Sequence, residues 1–564
     1  MYLYFDSRGD NHLVTKGKQV VFDTVAVRQA DENKKISRFR GILPQWLAAT
    51  AESLLLLNLG MQLGFPSVLI PVLTGKDRND TLYFDTEQAS WYGSITYIFQ
   101  PPGSLVSGAL LQSVGSKKLM ILINLPLFAC WVMVYAASSH TMLYIESALV
   151  GLVAGLSEAP TIRYIGEIAH PSLRGTLVTF SQIFLLVGIL LVYFLGSVTD
   201  WKNTALISAV LPIISIVCMS QIPETPIWLM SKGRREEALE SLRWLRGWTS
   251  ADNVKEEFDK LEIYAKKPKK TTTLHSYEQE VDTRDEGQMP QPKINGEGTR
   301  SGDTETENGD ARTVAEPSGN LEALEVEEFY EKRTFAEKWH DLTRKEMLVP
   351  LGKCILLHSF SVFGGGLPPM RPYIVTIFEK LKLPVQANWS SVITNVIGLI
   401  GCSCCMLLVR RVGKKVLLMF SAGFCALCLV GLVIFLNQTT TDLKGNPSAA
   451  SWCPLLLFCF LYLFYTLGLQ PLPWIYVGEL LPYRGRGIAT GVVVSCFYIL
   501  TFFGVKFFPA LEEQVGLSAI FMFFAVFSVL GVFYTYFILP ETEGKFLADI
   551  ETENARKTKE SSTQ

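Results

Sequence analysis

Residues Gly166-Glu167-Ile168-Ala169-His170-Pro171-Ser172-Leu173-Arg174-Gly175 have a counterpart in Gly478-Glu479-Leu480-Leu481-Pro482-Tyr483-Arg484-Gly485-Arg486-Gly487. In both, Gly-Glu closes a long apolar run and Arg-Gly follows, with seven residues from Glu to Arg. The recurrence extends outward in the same order. Val114-Gly115-Ser116-Lys117-Lys118 precedes the first copy and Val412-Gly413-Lys414-Lys415 the second; Pro223-Glu224-Thr225-Pro226 follows the first and Pro540-Glu541-Thr542 the second. Three motifs in one order mark an internal duplication, and the apolar runs between them set its scale.

Those runs number twelve. They lie near 46–70, 89–112, 119–138, 143–165, 177–198, 203–222, 350–373, 389–409, 416–436, 454–478, 488–510 and 517–539, each long enough to cross a hydrocarbon layer of about 30 Å. The 564 residues are 49% apolar and 18% charged, against roughly 25% charged in soluble chains. That excludes an ordinary water-soluble enzyme. A net charge of −2 provides no basic footprint for nucleic acid. The fold class expected is an all-α membrane protein of twelve transmembrane helices in two six-helix pseudo-repeats, with cytosolic helices between the halves.

The expected organisation is a tail over 1–45, a bundle over 46–222, a linker over 223–349, a second bundle over 350–539 and a tail over 540–564. Within the linker, Leu239, Leu242, Leu245, Val254, Phe258 and Leu261 fall at helical spacing, whereas about 266–320 has the polar composition of a disordered segment. An even number of crossings puts both termini on one side. Lys117, Lys118, Arg174, Arg410, Arg411, Lys414, Lys415, Arg484 and Arg486 cluster in the loops of that side, which makes it cytosolic. Met1 to Gln45 is polar and basic, unlike a cleavable signal peptide. Acceptor triplets at Asn79, Asn388 and Asn437 fall in loops assigned to the exterior, where glycosylation is possible. All eleven cysteines lie in apolar stretches and read as small hydrophobes, so no metal and no cofactor is expected.

A duplicated six-helix bundle places its cargo between the halves, which rock around it. The repeated charges sit at the cytosolic ends, where Arg174 can reach Glu224 and Arg486 can reach Glu541, with Glu167, Arg234 and Glu479 in the same motifs. Each exposed pair is worth about 0–1 kcal/mol, suited to a latch that opens on a small bias.

Specific wording carries a family resemblance. Pro223-Glu224-Thr225-Pro226-Ile227-Trp228-Leu229 with Lys232-Gly233-Arg234, Pro471-Leu472-Pro473-Trp474 with Glu479-Leu480-Leu481-Pro482, and Pro540-Glu541-Thr542-Glu543-Gly544-Lys545 resemble the sugar-porter family of the major facilitator superfamily. The tenth crossing, with Lys506-Phe507-Phe508-Pro509 in the eleventh, is similar to the insect facilitative trehalose transporters. The resemblance implies sugar contacts at Gln182 and Trp474. It also exposes departures: the polar positions of the family's seventh helix read Val362, Phe363 and Pro368, which puts Phe363 at a cargo-facing position. Three lost hydrogen bonds, at about 0.5–1.5 kcal/mol each, argue against a conventional glucose site. The acid–arginine pair of proton-driven members falls at Pro66 and Ser147, which cannot ionise. Gly364, Gly365, Gly366, Pro368 and Pro369 cannot hold a regular helix and form a candidate hinge.

Ionisable residues also fall within crossings, among them Glu52, Glu158, Arg371 and Lys506. Arg371 and Lys506 lie near helix ends, from which long side chains snorkel. Glu158 is deeper, where it could bind a cargo hydroxyl or amine, carry a proton, or be satisfied by a neighbouring helix. The expected function is therefore a carrier, not an enzyme, moving a sugar (a hexose or a disaccharide such as trehalose) or related polyhydroxy solute by alternating access, with facilitation the expected mode, in the plasma membrane. The alternatives are a carrier of a non-sugar organic solute driven through Glu158, and a transport-dead nutrient sensor. Protein partners are not indicated; the bilayer is.

Overall fold

The computed structural model describes residues 38–75, 82–170, 173–266, 343, 345–442, 452–481 and 486–541. The expectations for the first 37 residues, for Asn79, for 267–320 and for the tail beyond 541 lie outside the described residues.

The first half opens with α1 (Arg38–Thr74), whose start precedes the expected boundary because Arg38 to Gln45 adds about two mixed turns, with Arg38 and Arg40 among apolar residues, continuous with the apolar run. Asp85 then caps α2 (Thr86–Val114): its side chain accepts from the Gln88 amide while the Gln88 side chain returns to the Asp85 amide. α3 (Ser116–Tyr135), α4 (His140–Ile168) and α5 (Arg174–Val198) follow, then α6 (Trp201–Ser208) and α7 (Val210–Gln221) in tandem. Short helices α8 (Pro226–Ser231), α9 (Arg235–Leu245) and α10 (Ala251–Lys266) form their own small core, with Trp228, Leu242 and Phe258 inside.

The second half begins with α11 (Lys345–Gly364), α12 (Leu367–Met370), a 3₁₀ turn over Arg371–Tyr373 and α13 (Ile374–Lys380). It continues through α14 (Ala387–Val412), α15 (Lys414–Asp442), α16 (Trp452–Phe464), a π turn over Tyr465–Leu469 and α17 (Leu472–Leu480). α18 (Arg486–Phe537) is broken at Gly516, whose φ of 80° lies outside the helical region. Ten segments among the described residues are long and apolar enough to cross a membrane, the last being Ile488–Phe537, which contains that break.

Helix packing is pairwise. α1 lies against α5 and α2 against α4; α14 lies against α16 and α15 against α18. Gly151 and Gly155 on α4 meet the α2 backbone at Thr96 and Gln100, and any β-carbon there would strike a carbonyl. Spacing small residues four apart is what lets two helices touch this closely. The halves join where α2 packs on α18 and α5 on α14.

The repeated motifs take matching conformations. After α2, Gly115 (φ 93°) turns the chain into α3, and a Glu224 oxygen accepts from the Lys117 amide at 3.1 Å. After α14, Gly413 (φ 87°) turns it into α15, and the Glu541 carboxylate accepts from the Lys414 and Lys415 amides at 3.3 and 3.0 Å. Each carboxylate thus caps a helix N-terminus, where exposed N–H groups and the helix dipole favour negative charge. Burial is the main influence on the Glu224 carboxyl and raises its pKa, while the amide bonds oppose the rise. A native carboxyl held above its unfolded value of about 4.5 contributes stability at low pH that declines as pH rises through its raised value. Glu224→Gln is therefore expected to flatten the loss of thermal stability that the parent shows as pH rises from about 4.5 to that raised value. A melting series across pH with identical slopes in both proteins would count against this.

Candidate substrate site

Two interruptions open the helices of the second half. In the first, α11 ends at Gly364, and Gly366 takes a left-handed conformation (φ 66°, ψ −2°) before the prolines of α12. Pro368 near the start of α12 needs no hydrogen-bond donor there, so the chain restarts cleanly. In the second, the π turn 465–469 runs into Pro471 and Pro473. A proline has no N–H, so the carbonyl four residues before it loses its helical partner, and the one freed by Pro473 finds another: Leu469 O accepts from Ser361 at 2.7 Å, which links the two breaks. The five residues of the candidate hinge thus sit at a break in the backbone, buried against α18 and the π turn.

Beside these breaks lies a row of rings. Trp474, 38% exposed, meets His358 edge-on at 4.9 Å between centroids and Phe497 at 5.2 Å. Phe497 contacts Tyr498 at 5.3 Å, and the Tyr498 hydroxyl donates to Oε1 of Glu158. Oε2 of Glu158 accepts from Ser104 at 3.0 Å. A carboxylate on α4 is therefore held by a hydroxyl from α2 and another from α18, across the junction of the halves. His358 is fully buried; its Nδ1 faces the Cys354 carbonyl at 2.9 Å and its Nε2 has no hydrogen-bond partner among the described residues. The arrangement offers a flat apolar indole and a carboxylate along one aromatic wall, with the buried imidazole packed behind the indole, the kind of surface on which a sugar ring can stack and bond.

The remaining sequence candidates are distributed differently. Gln182 is exposed on α5, next to buried Ser181, which donates to Glu52 at 2.9 Å. The ring of Phe363 contacts Phe523 and Phe527, at 6.0 and 5.5 Å, in the second part of α18. Asn388 and Asn437 are exposed. Of the motif charges, Glu167 pairs with Arg163 at 2.5 Å, Arg234 with Glu237 at 2.5 Å and Glu479 with Lys414 at 2.6 Å. The side chains of Arg174 and Arg486 lie outside those described. Glu224 and Glu541 hold helix amides, a role the motif spacing did not reveal because the amides belong to helices distant in sequence.

The far side of the molecule, opposite the basic loops, is bridged between halves. Ser67 on α1 donates to the Arg371 carbonyl, Thr86 to Glu513 at 2.6 Å, and Lys506 to Ser90 at 2.8 Å while lying 4.0 Å from the centroid of Trp91. Tyr373 stacks on Phe508 and donates to the Val505 carbonyl at 3.1 Å. Arg371 does not reach for the surface, as its place near a helix end had implied; it lines a small internal cavity with Asn395, Tyr462, Tyr465 and Gln470. The break at Gly366 causes this, since it turns the following residues inward toward α14 and the π turn.

Sequence reasoning had missed Tyr498, Ser104, Phe497 and His358. Only His358 carried a signal, as an imidazole in an otherwise apolar run. The others are ordinary side chains until the helices meet.

A family model described as Sugar (and other) transporter matches residues 50–285 and 302–553. The chain is 29% identical over 514 residues to the facilitated trehalose transporter Tret1 of Aedes aegypti, covering 90% of this chain and 55% of that protein. It thus spans about half the length of that relative. Tret1 of Culex quinquefasciatus is 28% identical over 509 residues, with 90% and 85% covered. Among solved structures, the chain is similar to the proton:xylose symporter XylE bound to 6-bromo-6-deoxy-D-glucose, with TM-score 0.62, 17% identity, and 90% and 98% covered. An inward-open conformation of XylE from E. coli gives TM-score 0.63 at 16% identity, with 90% and 99% covered. At such identities these likenesses establish the fold, that of the major facilitator superfamily.

Proposed function

We propose, from the premise that this chain belongs to the sugar (and other) transporter family, that it is a multi-pass membrane carrier moving a sugar or related polyhydroxy solute by alternating access. The ten spans, the separate 29-residue helix α2 and the break at Gly516 are read as twelve crossings in two six-helix repeats. Apolar side chains facing outward, such as Leu105, Ile162, Leu407 and Phe537, are at least 65% exposed and suit lipid contact. The basic loops then face the cytosol, with both termini, and the plasma membrane is the proposed location.

The observation that carries the reading is the Glu158 carboxylate, bonded across the two halves to Tyr498 beside the exposed indole of Trp474. Polar groups at the junction of rocking halves are where a carrier holds its cargo. Pro66 and Ser147 lack the proton-coupling chemistry of driven relatives, so facilitation is the preferred mode; coupling through Glu158 is the second reading. Uptake of radiolabelled glucose and trehalose in oocytes, with and without a pH gradient, tests both. The expected result is saturable uptake equal in the two conditions. Uptake that follows the gradient favours coupling through Glu158, and absence of flux for either sugar overturns the sugar reading.

A further inference from the structure

We infer that Arg371 forms a binding site for a carboxylate group of the cargo, so that the chain carries a sugar acid, such as a uronate or aldonate, in preference to a neutral sugar. This rests on the reading of the chain as a carrier of polyhydroxy solutes.

Arg371 is drawn into the interior by the 3₁₀ turn after the Gly366 break, and its main chain is pinned there by the hydroxyl of Ser67. Its side chain lines the cavity between the halves, and no ion pair or side-chain hydrogen bond engages its guanidinium among the described residues. The rings beside it in the cavity are those of Tyr462 and Tyr465, from α16 and the π turn. Phenols are neutral at physiological pH and cannot cancel a cation. The acids buried within the helices are engaged elsewhere: Glu52 with Ser181, Glu146 with Tyr92, and Glu158 with Tyr498 and Ser104.

Arg371 is half-buried, and a cation kept among membrane-spanning helices with no counter-charge among the described residues is a candidate for holding an anion that comes and goes. The cavity in this conformation has room for little more than water, so the ligand enters as the halves part, and its polar lining suits the rest of such a ligand. Gln470 has no side-chain hydrogen-bond partner among the described residues, and Asn395 commits only its amide nitrogen, to the Ser391 carbonyl at 3.1 Å, leaving its oxygen for a hydroxyl. Guanidinium presents two parallel N–H donors at the spacing of a carboxylate. A single arginine matches one negative charge. A phosphate ester would call for a second cation, and Lys506 is held by Ser90 and Trp91.

The test uses the full chain in proteoliposomes, with radiolabelled glucuronate and glucose and the variants Arg371→Gln and Arg371→Lys. The parent is expected to take up glucuronate at least about tenfold more efficiently than glucose. In Arg371→Gln the glucuronate-to-glucose ratio should fall at least about tenfold, and Arg371→Lys should keep part of the preference, because it keeps the charge but loses the fork. Glucuronate should raise the melting temperature of the parent and not of Arg371→Gln, a shift that a merely structural arginine would not produce. A ratio unchanged by Arg371→Gln, in a chain that carries glucose, overturns the carboxylate site and leaves the sugar reading standing. Arg371-dependent uptake of benzoate without uptake of either sugar would sustain the site and overturn the sugar reading.

Discussion

Glu158→Ala is expected to lower transport efficiency by roughly ten- to a hundredfold, with the protein still reaching the membrane. The carboxylate accepts from Tyr498 on α18 and from Ser104 on α2, so its removal leaves two hydroxyls without their acceptor at the junction of the halves. Hydrogen bonds to a charged group are worth about 1.5–3 kcal/mol each, and a loss of about 1.4 kcal/mol in transition-state stabilisation is tenfold in rate. The size of the effect separates two roles. If Glu158 only ties α4 to α18, Tyr498→Phe should reproduce most of the loss, because it deletes one half of the same bond. If Glu158 also contacts the cargo, Tyr498→Phe should cost less than Glu158→Ala, and Glu158→Gln should retain part of the activity through its remaining acceptor oxygen. The quantities to compare are initial uptake rates of the three variants over a range of solute concentrations, each normalised to surface expression. Equal uptake by Glu158→Ala and the parent would remove Glu158 from the site.

Gly366→Val is expected to prevent recovery of a folded protein in detergent, and Gly366→Ala to lower thermal stability measurably. Two independent costs meet at this position. The backbone is left-handed at φ 66°, where a residue with a β-carbon carries about 1–3 kcal/mol of strain. A β-carbon would also press into the ring of Phe524 on α18, which is buried and has little room to withdraw. Overpacking of that kind adds about 1–3 kcal/mol. For alanine the two together amount to about 2–6 kcal/mol, a large part of the stability of a typical folded protein. Gly364, whose β-carbon would find its nearest neighbour 3.6 Å away at Ser528, is the control: Gly364→Ala should be tolerated. Melting curves of the three purified proteins decide the matter, and similar midpoints for Gly366→Ala and Gly364→Ala would show that the left-handed turn is not under strain.

Some of this was legible before any coordinates. The pairing of Val114-Gly115 with Val412-Gly413, and of Glu224 with Glu541, follows from the repeat, and the helices took the places the apolar runs gave them. The break after Gly364 was readable because three glycines and two prolines leave the backbone no regular alternative. What could not be read was which side chains would face one another. Glu167 and Arg234 found partners a turn away along their own helices, while Glu224 and Glu541 capped helices distant in sequence.

The division has a physical cause. Bilayer-scale apolar length, helix-breaking residues and repeated motifs are local properties, written in consecutive residues, and they determined by themselves the expectation of an all-helical membrane protein with repeated motifs and an interrupted seventh apolar run. Hydrogen bonds between helices are not local. Within one helix, Tyr498 is an unremarked aromatic and Ser104 a small polar residue; only when α2, α4 and α18 pack together do they converge on Glu158. Arg371 shows the same dependence most clearly. Its position in the chain pointed to the surface, and it was the tertiary fold, turning at Gly366 and closing against α14 and the π turn, that placed its charge in an internal cavity.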